Sequence, residues 1–369
     1  MHVATLILNT LLPFHVTDLG GSRTQVGLLF SVMTVVSMFL RPVVGGWVDR
    51  FGVRAVMLPG VAALAATSLA LQLPAGPAVV IALMAGLGIA NGLLSTPASI
   101  LTARESPPAL RGEALGTYYL CSSVGIAIGP PLAFGLRALG GMRLAFVFVT
   151  LMAAMLVAVV TRFRARPAAP AAAARARGRF LSRSAAPVSF ALVLSTFGNS
   201  AMWAFLPLYA VSRGQGVALA WFFTVYPLWM IACRIALRGL SDRVGHVPVS
   251  VAAMSLVTAG YLLLAVPPSP LSLLFTAVVL GTGNSVLYPT LAALVIDRAP
   301  EPERGLALGT LSGAWDLGVV VGAALVGAVA DRFSYGAGFV VAGLASAGGV
   351  ISLALMASPS RRSAEAPAR

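Results

Sequence analysis

The chain has 369 residues, of which 58% are hydrophobic and only 10% are charged. A water-soluble domain averages about 25% charged residues, and a surface this apolar would not stay dissolved. The net charge of +14 is carried by arginines in short breaks between apolar runs, which excludes the continuous basic face of a nucleic-acid-binding protein.

A bilayer core is about 30 Å thick, so a spanning helix needs roughly 20 mostly apolar residues. Runs of that kind predict twelve spans, at 1–18, 25–48, 55–73, 78–103, 114–138, 143–162, 187–210, 218–240, 249–266, 271–296, 305–330 and 337–357. They are too long and too uniformly apolar for barrel strands, and helices satisfy their own backbone groups. The first span carries Asn9 and has no basic lead-in that would mark a signal peptide. Its Leu12-Pro13-Phe14-His15 resembles Leu206-Pro207-Leu208-Tyr209 in the seventh span, which has a longer apolar lead-in. The expectation is that the first span is truncated and its native start lies upstream of Met1.

The second span holds Arg41 and runs into Gly45, Gly46, Asp49, Arg50, Gly52 and Arg54. Arg41 lies eight residues before Asp49, about 12 Å into the membrane at 1.5 Å per residue. A charge there must be paired or hydrated, or must snorkel to the headgroups. The fourth span carries Asn91 and no arginine; the fifth carries Tyr118 and the small-residue series Gly125-x-x-x-Gly129-Pro130. Residues 163–186 are rich in Pro, Ala and Arg and hold no acid, which predicts a cytoplasmic linker. Asn199 and Trp203 follow on the seventh span and Arg234 on the eighth, with Asp242, Arg243 and Gly245 after it. Asn284 and Tyr288 lie on the tenth span, Trp315 and Asp316 on the eleventh, and residues 358–369 form a polar tail.

Arginine placement sets orientation. With both termini inside, 18 arginines fall on the cytoplasmic side and 5 on the other. Both termini are therefore expected in the cytoplasm of a plasma (inner) membrane.

The strongest pattern is internal. Asp49-Arg50-Phe51-Gly52 corresponds to Asp242-Arg243-Val244-Gly245, and Arg111-Gly112-Glu113-Ala114-Leu115-Gly116-Thr117 to Arg304-Gly305-Leu306-Ala307-Leu308-Gly309-Thr310, both at an offset of 193 residues. Arg41 and Arg234, Gly46 and Gly239, Gly88 and Gly281, Asn91 and Asn284, Gly125 and Gly318, and Gly129 and Gly322 share that offset. Apolar bias can align Leu and Ala by accident but not Asp, Asn and Arg. The chain divides into 1–162 and 187–357, two six-helix halves in the same orientation, a parallel repeat about an axis normal to the membrane.

The stretch from Gly45 to Arg54 resembles the loop signature between helices 2 and 3 of the major facilitator superfamily, and Arg238 to Gly245 resembles its second copy between helices 8 and 9. The resemblance covers essentially the whole chain. It implies an all-α membrane protein of two six-helix bundles around a central cavity that opens alternately to each side. It also implies a conformational latch in the two loops, formed by Gly45, Gly46, Asp49, Arg50, Gly52, Arg54, Asp242, Arg243 and Gly245, with the glycines giving tight turns and close packing.

Arg41 and Arg234 are candidates for a gate or cavity floor. Asp316 is the candidate for proton coupling, because an acid at mid-membrane is a functional residue by default and its repeat mate is Ser123. Asn9, Asn91, Tyr118, Asn199, Trp203, Asn284, Tyr288 and Trp315 suit a cavity for a mixed polar and apolar ligand, with helix packing as the plainer alternative for each. No paired His or Cys spacing suggests a metal, and no phosphate loop suggests ATP. No cofactor is expected, and energy would come from a proton or other ion gradient. The sequence reading is a monomeric secondary carrier in contact with membrane lipid. It exports a small amphipathic compound with proton antiport; a metabolite or sugar importer and a non-transporting membrane sensor are the alternatives.

Overall fold

The computed structural model describes residues 1–105, 111–162, 181–300 and 303–357, and every regular element among them is a helix. The helices are α1 (His2–Asp18), α2 (Arg23–Phe51), α3 (Val53–Ala70), α4 (Pro77–Glu105), α5 (Arg111–Val160), α6 (Ala186–Ser212), α7 (Gly216–Ala236), α8 (Leu240–Val244), α9 (His246–Ala265), α10 (Pro270–Arg298), α11 (Arg304–Arg332) and α12 (Tyr335–Ala357). Helix α5 folds back at Gly140 and Gly141, where the backbone leaves helical geometry. Its two arms are the fifth and sixth predicted spans. Most of the predicted linker, and the tail at 358–369, lie outside the described residues.

Ten stretches are long and apolar enough to cross a bilayer, one of them the double-length Cys121–Val160. With two arms in α5, and α1 at 17 residues, the chain passes up and down twelve times. Large apolar side chains such as Phe39, Leu151, Phe190, Leu344 and Ile351 are exposed on the helices, as the surface of a lipid-embedded protein allows. Phe146, Phe205, Phe222 and Tyr261 are buried between helices. Helices α2 and α10 begin at side-chain caps. Ser22 accepts from the Gln25 amide in a capping box, and Ser269 does the same with Ser272 ahead of Pro270.

Helices α1–α5 pack on one another and α6–α12 pack on one another, and the two groups meet through α2 with α11, α5 with α7, and α6 with α1 and α2. Their interiors repeat the same contacts. A methyl group at Gly88 of α4 would stand 2.5 Å from the Met33 carbonyl oxygen of α2, and one at Gly281 of α10 would stand 3.1 Å from the Tyr226 carbonyl oxygen of α7. Met33 and Tyr226 are themselves 193 residues apart. Gly125 and Gly129 let α5 close on His2 and Leu6 of α1, as Gly318 and Gly322 let α11 close on Val193 and Phe197 of α6. Small residues permit that approach because dispersion drives helix association in lipid. The repeat read in the sequence is thus a repeat of contacts.

Two expectations need correction. Gly45, Gly46, Asp49 and Arg50 do not form a loop, because α2 continues helically to Phe51. Space is open around Gly45 and Gly46, so neither makes a close contact. The whole turn falls on Gly52, at φ +82° and ψ 158°, and on its mate Gly245, at φ +104° and ψ 146°. That region is reserved for glycine. The predicted eighth span is also interrupted. Helix α7 stops at Ala236, Gly239 adopts φ +72°, and α8 starts at Leu240. The copies therefore differ where Gly46 stays helical and Gly239 does not. The end of the molecule bearing Gly52 and Gly245 is called the turn face below.

Gly52→Ala is expected to lower the unfolding temperature in detergent by a few degrees, since a Cβ in this backbone region costs about 1–3 kcal/mol. Gly46→Ala, helical and uncrowded, should leave it unchanged or slightly raised. Equal shifts for the two would show that the turn geometry is not what requires Gly52.

Candidate functional site

The seam between α2 and α11 holds the polar contacts of interest. The helices run antiparallel, and at the end opposite the turn face they are clasped. The Asp331 carboxylate accepts from the Arg23 amide at 2.8 Å and the Thr24 amide at 2.7 Å, and the Thr24 hydroxyl also donates to it. The first turn of any helix leaves its amides without partners inside the helix. Here Asp331 takes two of them from across the seam and Ser22 takes the Gln25 amide. A negative charge is favoured at that helix end. The Arg23 guanidinium donates to the Ala330 carbonyl and lies 4.4 Å from the centre of the Tyr335 ring.

Further along, Gly27 lets α2 press directly against the Ala323 carbonyl, where any Cβ would collide. Ser31 Oγ donates to the Val320 carbonyl at 2.9 Å.

Deeper still, Arg41 Nη1 donates to Asp316 Oδ2 at 2.6 Å. The reach follows from helix geometry. From Ser31 to Arg41 is about 15 Å along α2, but from Val320 to Asp316 is only about 6 Å along α11. Side chains tilt toward the N-terminus of their own helix. In antiparallel neighbours Arg41 therefore leans toward the clasp and Asp316 leans away from it, and the two heads meet. Asp316 is only 5% exposed, and among the described residues the Arg41 guanidinium is its only charged partner.

The repeat mates do not form such a pair. Arg234 Nε donates to the Ser285 carbonyl within its own half at 3.2 Å, and Asp316 is matched by buried Ser123. Among the described residues no ion pair joins α5 to α7.

The remaining candidates divide by what they touch. Asn9 borders a narrow crevice with Leu12, Leu29, Phe30, Met33 and Met84. Asn91 Nδ2 donates to Ser37 Oγ at 3.3 Å, and the Tyr118 hydroxyl donates to the Ser95 carbonyl at 3.3 Å. Tyr288 shares a hydrogen bond with Ser312 at 3.0 Å and meets the Trp315 ring edge-on at 5.7 Å. That places an aromatic pair beside Asp316. Trp203 stacks on Phe223 at 5.1 Å, and Asn199 is half-buried on α6.

Asn284 is the mate of Asn91, but Met230 stands where Ser37 stands in the first half, so the Asn91–Ser37 hydrogen bond has no counterpart there among the described residues. Of the latch candidates, the Asp49 side chain lies outside the described residues. Arg54, Asp242 and Arg243 are exposed at the turn face, and the Arg50 guanidinium lies over the Phe51 ring at 5.1 Å.

Sequence reasoning passed over three contacts. One is the Asp331 clasp. The second is the ion pair of Asp18 with Arg137 at 3.3 Å. The third is His2, whose Nε2 shares a hydrogen bond with Ser122 Oγ at 2.9 Å. The signal for the clasp was an Asp-Arg step at one end of the eleventh span facing a Ser-Arg-Thr step that opens the second.

The twelve passes, the repeated contacts and the seam can be set against known families. The family model described as Major Facilitator Superfamily matches residues 1–237 and again residues 188–369. The chain belongs to the major facilitator superfamily. Members of the superfamily are membrane transporters, and the chain is accordingly a multi-pass transporter and not an enzyme.

The Staphylopine export protein of Staphylococcus aureus is 24% identical over 356 residues, covering 92% of this chain and 89% of that protein. An uncharacterized MFS-type transporter of Burkholderia mallei is 27% identical over 351 residues, covering 90% and 83%. Among solved structures, the nucleoside transporter NupG aligns with a TM-score of 0.78 at 14% identity, covering 97% of this chain and 98% of that one. The human organic anion transporter MFSD10 (TETRAN) aligns at 0.67 with 19% identity, covering 95% and 96%. These structural likenesses concern the fold alone.

Two measurements check the seam. In a double-mutant cycle of Arg41→Ala and Asp316→Ala, unfolding in detergent should show a coupling of roughly 0.5–3 kcal/mol; additive losses would mean the pair contributes nothing. Asp331→Ala should cost about 0.5–2 kcal/mol as a lost helix cap. It should also speed maleimide labelling of a cysteine placed by Ser31→Cys. Unchanged labelling would show that the clasp does not hold the seam shut.

Proposed function

We propose that this transporter is a secondary carrier working by alternating access. In this reading it exports a small amphipathic compound in exchange for protons taken up at Asp316. The bodies that rock are the halves 1–162 and 187–357. The chain works as a monomer in the plasma membrane with both termini in the cytoplasm. The observation that carries the reading is the Arg41–Asp316 ion pair across the seam.

A carboxylate in hydrocarbon needs a partner. Asp316 can be satisfied by the guanidinium of the opposite half or by a proton, and a protonated carboxyl no longer attracts the guanidinium. Proton occupancy and the link between the halves are therefore coupled. With the termini in the cytoplasm, as the arginine distribution supports, the clasp lies on the outer side and the conformation described is the one closed to the outside. Opening there requires both the Asp331 clasp and the deeper pair to part. Arg50, Arg54, Asp242 and Arg243, with Asp49, would then latch the turn face as it closes. Aromatic neighbours of the pair, Tyr288 and Trp315, give an amphipathic ligand flat apolar surfaces beside a charge. Export is supported by the name of the Staphylococcus aureus relative.

The test is Asp316→Asn in inverted membrane vesicles from a strain lacking its main efflux pumps, with a compound panel and a pH-sensitive dye. Proton-driven accumulation should disappear while substrate counterflow persists, because the amide cannot exchange a proton. Wild-type pH dependence in this variant would remove Asp316 from the mechanism.

A further inference from the structure

The break at Gly239 leaves a groove that the transport reading does not use. It has a volume of about 400 Å³ between α7–α8, α9 and α10, and its walls include Leu237, Leu240, Val244, Pro248, Leu256 and Thr282. The lining is almost wholly apolar. Leu240 and Val244 lie four residues apart on α8, so they share one face of that short helix. In the first half the equivalent position stays helical through Gly46.

The groove runs inward from the turn face. Val244 and Pro248 lie at its outer end, and Thr282 lies about 24 Å up α10 from Arg298. Its lining therefore extends from the turn face into the depth of α9 and α10.

Three arginines accompany this groove. Arg238 and Arg243 are exposed and adjoin the lining residues Leu237 and Val244 in the chain. Arg234 lies one turn before Leu237 and donates only its Nε, to Ser285, which sits between Thr282 and the lining residue Val286. Among the described residues no carboxylate lies within ion-pair distance of Arg234. Its repeat mate Arg41 has Asp316, but the position that matches this acid for Arg234 is Ser123 of the first half. Two acids are near. Asp242 is exposed on α8, and Asp297 is already engaged by His246 Nε2 at 3.1 Å. The balance is positive, next to an apolar groove in a protein bathed in lipid.

We propose that this groove is a binding site for one anionic phospholipid of the turn-face leaflet. An acyl chain lies along Leu240, Leu256 and Thr282, and the phosphate head is held by Arg238 and Arg243 with Arg234 behind them. Clustered arginines beside a membrane surface attract anionic headgroups, and long basic side chains reach the headgroup level from within the membrane. The lipid fills the space left by the helix break and supplies Arg234 with the negative charge that Asp316 supplies to Arg41.

The experiment uses the full chain, purified in detergent, stripped of native lipid and supplied with equal amounts of phosphatidylglycerol and phosphatidylcholine. Retained lipid is counted by native mass spectrometry. The wild type should keep one phosphatidylglycerol with at least about tenfold preference. Arg238→Gln with Arg243→Gln should abolish the preference. Ala252→Trp, which adds a ring at an exposed lining position, should abolish retention of both lipids. Added glycerol phosphate should not displace the bound lipid, since the chain contributes to holding it. Equal retention of the two lipids by the wild type, displacement by the free headgroup, or wild-type behaviour of either variant would overturn the proposal.

Discussion

A guanidinium and a carboxylate placed inside a slab of hydrocarbon cannot be left to the solvent, and the architecture described here is organised around that constraint. Arg41 and Asp316 come from opposite halves of the chain and meet at 2.6 Å. Their meeting depends on nearly everything else in the fold. It needs α2 and α11 antiparallel, so that the two side chains lean toward one another. It needs Gly27 bare, so that the helix backbones approach closely enough upstream. It needs the Asp331 clasp to fix the register of the helices at the far end. A shift of one helical turn along the seam, about 5.4 Å, would leave both charges stranded.

The repeat gives the molecule its frame, and the departures from the repeat give it chemistry. Gly88 on Met33 and Gly281 on Tyr226 are the same packing solution used twice. Arg41 and Arg234 begin as equivalents, yet one faces an aspartate and the other a backbone carbonyl. Asn91 has Ser37 and Asn284 has Met230 opposite. Ion pairs between the halves therefore concentrate on one seam, while α5 meets α7 without one among the described residues. A carrier with charged contacts on one side of its interface and plain packing on the other does not part symmetrically.

Much of this was legible in the sequence because lipid imposes long, countable apolar runs and because a duplication leaves rare residues at one spacing. The span count and the repeat came from those two features, and the family resemblance from the Gly45–Arg54 signature and its second copy. Arg41 and Asp316 each stood out as a charge at depth. Their pairing did not, since 275 residues separate them and a helix packing register is set by three-dimensional fit and not by chain position. The small glycines misled in one place: Gly45 and Gly46 read as part of a loop, yet α2 absorbs them, and one residue, Gly52, makes the turn. The interruption at Gly239 was hidden for a related reason. Glycine tolerates both helical and left-handed backbone, so identical residues at matched positions gave different geometry.

The clasp at Asp331 has a consequence beyond holding two helices together. It satisfies amides that belong to the first turn of α2, and those amides do not vanish when the halves separate. Each parting of the seam at that end must hydrate the Arg23 and Thr24 amides and the Asp331 carboxylate together, because unpaired polar groups at a membrane boundary are costly. If the halves part as proposed, water becomes a reactant in that change. By linkage, whatever binds one state and not the other shifts the equilibrium between them. In the alternating-access reading proposed above, the balance between conformations would then respond to the osmotic strength of the medium that bathes the clasp.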